Sequence, residues 1–232
     1  MARLIGGVGA RLVGRVGATR FVLRPPTVVA VLAALAPVVL ATTIAPAAAH
    51  HVGTYTPQDN AVSAGFKQVK FALEAGRADV ALDLFERGAL RREMQARAGA
   101  LPPGLEARTL AALRAGDARE VEGHLAVFFS ALARDLALEA ARQLGRPGVR
   151  PPDAAATGSK FLEAIWRYYN LIDFAVSTRD SKRSAAMRLA LDDAETYART
   201  AAAPDRLRAS LGQIAQILTD VIEASTPSRR NP

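Results

Sequence analysis

DAREVEGHLAVFFSALARDLALEAARQL, Asp117 to Leu144, runs between Gly116 and the loop-like segment GRPGVRPPD, Gly145 to Asp153. Val121, Leu125, Phe128, Leu132 and Leu136 recur in it at spacings of four, three, four and four, the period of a helix with one apolar stripe. Asp117 stands where an N-cap acceptor is wanted. A long helix is therefore predicted, and it needs neighbours for that stripe.

Working outward, the flanks are of the same kind. Asp59 or Asn60 can cap a helix carrying Val62, Phe66, Val69 and Leu73 and stopping at Gly76. Asp79 opens the next, with Val80, Leu84, Phe85, Leu90 and Met94 inward. Pro102-Pro103-Gly104 interrupts before a short helix, Leu105 to Ala115. Beyond Asp153, a helix from Thr157 to Thr178 holds KFLEAIWRYYNLIDFAV, another starts at Asp180 or Ser181, and Pro204 opens the last. No stretch alternates with β-branched residues, so no strand is expected. The expected fold is all-α, an antiparallel bundle of six or seven helices.

ALEAGRA at Ala72–Ala78 recurs as ALRAGDA at Ala112–Ala118, each a helix end, a glycine and a helix start. Gly76, Ala81, Phe85 and Gly88 in FALEAGRADVALDLFERGAL give this piece a turn and second helix that resemble a tetratricopeptide hairpin. The resemblance implies αα-hairpin turns. It spans about twenty residues, and the second copy has Val121 and Leu125 where that repeat takes alanine and an aromatic, so it assigns no family.

The N-terminal portion reads as an address. Arg3, Arg11, Arg15, Arg20 and Arg24 precede the apolar run Thr27–Ala49, and the first carboxylate of the chain is Asp59. That order matches a secretory signal peptide cut after Ala47 or Ala49, the other reading being an uncleaved anchor. Without an Arg-Arg pair before the run, the general export route is expected, to a periplasmic or secreted destination. The organisation expected is signal peptide 1–49, extended lead-in 50–58, one helical domain 59–225 and a disordered tail 226–232.

Setting the leader aside changes the charge. Its five arginines leave 25 basic residues of 30 against 22 acidic ones. A nearly neutral folded part gives nucleic acid no basic face to meet. The absence of cysteine excludes disulfides, thiolate nucleophiles and thiolate metal sites.

Three features carry candidate chemistry. Cleavage after Ala47 or Ala49 would create an amine beside His50 and His51, and amine and imidazole nitrogens suit copper(II), with His124 as a further ligand. On the long helix, His124, Asp135 and Glu139 fall within the arc of the apolar stripe, either as a polar site inside the bundle or as partners of neighbouring arginines. On the aromatic helix, Trp166, Arg167, Asn170 and Asp173 line one side with Glu163 and Phe174, as a border for a ligand groove or as ordinary surface pairs. No nucleophile constellation or phosphate loop is present. The expected function is a non-catalytic exported binding or interaction protein, accessory to a cell-envelope system, with a protein partner or small ligand. The alternative is a periplasmic copper-binding protein.

Overall fold

A computed structural model describes residues 57–201 and 204–226. The leader, His50, His51 and residues 227–232 lie outside them. Eight helices follow in order: α1 Ala61–Glu74, α2 Ala78–Arg87, α3 Ala89–Ala96, α4 Leu105–Ala115, α5 Ala118–Leu144, α6 Pro151–Arg179, α7 Ser181–Thr200 and α8 Pro204–Ser225. There is no strand among the described residues. The all-α bundle expected from the periodicity is what the chain forms.

The helix starts are chemically specified. Asn60 is the N-cap of α1; its side chain accepts from the Val62 and Ser63 amides at 3.0 and 2.9 Å, and Ser63 Oγ accepts from the Asn60 amide in return. Asp59 instead pairs with Lys67 at 2.7 Å. Asp117 and Asp180 cap α5 and α7 in the same way, accepting from Glu120 and Arg183 amides. The repeated glycine turns are the same structure twice. Gly76 and Gly116 have φ of +70° and +68°, and each turn closes with the same pair of bonds: Gly76 to Leu73 and Arg77 to Ala72, then Gly116 to Leu113 and Asp117 to Ala112.

Two boundaries differ from expectation. The helix opened at Asp79 breaks at Gly88, giving eight helices among the described residues where the sequence suggested about six or seven. Gly88 is extended there, and a methyl group on it would run into the Leu84 carbonyl oxygen. The GRPGVRPPD loop is also shorter than read, because Pro151 and Pro152 form the first turn of α6. A first-turn proline forfeits no hydrogen bond, so the pair starts a helix as readily as it ends a loop.

Helices α5 to α8 make an up-down-up-down bundle in which α5 packs on α6 and α8, and α7 packs on α6 and α8. At one end the start of α5 meets the end of α6: Arg179 lies against Gly123. At the other, α6 and α8 begin side by side, and a Cβ built on Gly158 would lie 2.6 Å from Leu207 Cδ2. Leu207 thus fills the space that glycine leaves, and it is buried. Helices α1 to α4 form a second layer laid on α5. Phe66, Phe129 and Tyr168 join the layers, with ring centroids 5.1 and 5.7 Å apart, and Asn60 Nδ2 donates to the Tyr168 hydroxyl at 2.9 Å. Covered on both sides, α5 has every residue from Leu125 to Ala133 buried.

Candidate functional site

The tight turn at Gly116 folds α4 back along α5, so residues equidistant from it become neighbours. Arg108 and His124 stand eight positions to either side. His124 is mostly buried, its Nε2 3.7 Å from Glu120 Oε2 and its Nδ1 without a hydrogen-bond partner among the described residues. Burial holds its pKa below the ordinary value, with Arg108 pushing the same way and Glu120 and Asp117 opposing. Arg108 donates from Nη1 to the Pro103 carbonyl at 2.6 Å, while its buried Nε has no partner among the described residues. Both atoms are buried polar groups without a partner among the described residues, as are Ser130 Oγ, Arg167 Nε and Tyr169 Oη elsewhere.

Gly123 admits a third group. A Cβ there would sit 3.0 Å from Arg179 Nη2, so the guanidinium at the end of α6 lies across the bare surface of α5. Arg108, His124 and Arg179, together with Arg119, line an open cleft of about 730 Å³ closed at its far side by Ala224, Ser225 and Thr226 of the α8 end. Asp117 and Glu120 are its only carboxylates among the described residues. Asp117 is occupied with the helix cap. Arg119 and Arg179 form no ion pair or hydrogen bond among the described residues. A concave wall with cations in excess and a neutral imidazole suits an oxyanion.

The residues singled out in sequence are distributed differently. Trp166 is half-buried and stacks obliquely on Tyr169 at 6.2 Å. Arg167 lies 3.7 Å from Glu163, Asn170 is exposed, and Asp173 faces α7, where it accepts from Ser184 Oγ at 3.1 Å and Arg188 at 2.5 Å. Burial pushes the nearby Tyr169 phenol well above its usual value, so it stays protonated. None of the four lines the end cleft.

Asp135 and Glu139 do not face the core as the single stripe suggested. Beyond Leu132 the buried positions shift to Ala133, Ala137, Ala140 and Leu144. Asp135 accepts from Arg134 at 2.8 and 3.0 Å and lies 3.9 Å from Arg97, at the rim of the α1–α4 layer. Glu139 is held by Arg142 and Gln143, which pull its carboxyl down to about 2. Neither meets Arg167, so these groups make separate ion pairs. The copper arrangement needs His50 and His51, which lie outside the described residues. Among the described residues no group of three or more His, Asp or Glu could hold a metal ion, and no helix is long and apolar enough to cross a membrane.

Arg108 and Arg179 escaped the sequence reading. Their signal was positional: Arg108 mirrors His124 about Gly116, and Arg179 mirrors Gly123 about Pro151. No known protein family, curated protein or solved structure matches the chain.

Proposed function

We propose that this chain is an exported, non-catalytic helical-bundle binding protein that takes a small anionic ligand in the cleft at the α5 start. The observation that carries this reading is the cleft's own charge: Arg108, Arg119 and Arg179 stand against Asp117 and Glu120, with Arg119 and Arg179 carrying no described partner. Guanidinium groups bind carboxylates and phosphates with two parallel bonds each, which gives orientation as well as affinity. His124, Glu120, Ser225 and Thr226 share the cleft with the arginines, and it is the guanidinium groups, which hold an anion without reacting with it, that support binding. Export rests on the leader pattern of residues 1–49.

Thermal melting with and without phosphate, acetate, glutamate or citrate tests the cleft. At least one anion should raise the midpoint for the wild type and fail to do so for Arg108→Gln/Arg179→Gln. Equal responses of the two proteins to every anion would sink the reading. Intact mass of the protein recovered from its producing cell should show a chain beginning at Ala48 or His50. A chain still beginning at Met1 would overturn the cleaved leader.

A further inference from the structure

Arg179 lines a second cavity as well as the first. Behind its side chain, between α5, α6 and α8, lies a chamber of about 390 Å³ walled by Ala126, Ala175, Val176 and Val221. Ala224 and Ser225 border both chambers. Ala126, Ala175 and Ala224, one from each of the three helices, line it. Asp180 and Arg183, which also line it, pair with one another at 3.0 Å, whereas Arg179, which borders both chambers, has no ion pair among the described residues. The larger chamber offers Arg108 and His124; the other sets the aliphatic side chains of Ala126, Ala175, Val176 and Val221 beside the Asp180–Arg183 pair and Ser225.

We propose that the two chambers are one bipartite site for a small amphiphilic anion, an oxyanion head on a short apolar arm. The head sits on Arg179 and Arg108 beside His124. The arm enters between Ala126, Ala175 and Val221. A bare oxyanion leaves the alanine-lined chamber unused, and a purely apolar molecule leaves the arginines unmatched, so the two halves together select a molecule that has both ends. Arg179 is exposed and joined to α6 only through its own stem, with Gly123 giving it a shelf to lie on, so it can follow the head without moving a helix.

This assignment rests on the anion-binding reading above, and calorimetry with the full-length protein separates the two. Hexanoate, acetate, 1-hexanol and inorganic phosphate are the probes. Hexanoate should bind at least tenfold more tightly than acetate or 1-hexanol. Arg179→Gln should weaken hexanoate at least tenfold and leave 1-hexanol unchanged. Ala224→Leu, at an exposed position that a folded chain tolerates, should weaken hexanoate more than phosphate, and Ala126→Leu, checked for an intact helical signal, should do so more strongly. Acetate or phosphate binding as tightly as hexanoate, and lost in Arg179→Gln, would overturn the amphiphile assignment and leave the anion cleft standing. Hexanoate binding that ignores both Arg179→Gln and Ala126→Leu, or no binding of hexanoate at all, would overturn it too.

Discussion

Gly158 and Gly123 are both helical glycines whose missing side chain is replaced by one from a neighbouring helix, and the bundle ends they occupy turn out opposite. At Gly158 the visitor is Leu207, buried and apolar, and the gap at that end is filled. At Gly123 the visitor is the Arg179 guanidinium, exposed and charged, and the end is a cleft. A small residue at a helix crossing therefore decides only that something will come close. Whether the gap becomes core or site depends on the chemistry of what fills it.

The largest expected effect is on the filled end. Leu207→Ala should cost about 2–5 kcal/mol in chemical denaturation, through lost burial and the cavity left beside Gly158. Arg179→Ala, on the open end, should change stability by no more than about 0.5 kcal/mol. Comparable losses from the two would erase the contrast. Gly158→Leu should be next, costing about 1–3 kcal/mol by overpacking, and Leu207→Ala in the same chain should recover part of it. Strict additivity of the pair would mean that the two residues do not share that space.

Gly123→Ala should do the reverse. The nearest atoms its methyl group meets are the guanidinium end of the exposed Arg179, and alanine is the better helix former by up to about 1 kcal/mol, so the midpoint should rise. Anion affinity should fall at the same time as Arg179 loses its shelf. A destabilised Gly123→Ala protein would show that the open end is packed as firmly as the filled one.

The smallest effect is acid sensitivity at the cleft. Because burial depresses the His124 pKa in the folded state, the unfolded chain takes up its proton first as pH falls below about 6.5. Stability contributed by neutral His124 should be complete above that pH and decline below it until the folded form also protonates. His124→Gln should flatten that part of the pH profile. An unchanged slope would place His124 in ordinary solvent.

Helices, caps and turns were legible in the sequence because their causes are local: Asn60, Asp117 and Asp180 bond to amides two or three residues on, and the two glycine turns carry their signature within seven residues. The burial pattern of α5 was legible only in part. A wheel assumes one buried face, whereas this helix has two partners along its first half and its buried stripe turns after Leu132, which is why Asp135 and Glu139 looked internal and are not. The end cleft was hidden for a similar reason. Arg108, His124 and Arg179 come from three helices, and only the register of two hairpins brings them together.

The complete enclosure of Leu125 to Ala133 has a consequence in time as well as in space. Amide hydrogens along these nine positions are shielded by α1 and α4 on one flank and by α6 and α8 on the other. They can trade with solvent deuterium only when both flanks lift away, so this segment should be the slowest-exchanging in the chain and its rate should report global opening. The outer turns of α2, α3 and α7 should exchange earlier through openings of their own. The centre of α5 would then serve as the molecule's clock, ticking only when the whole structure comes apart.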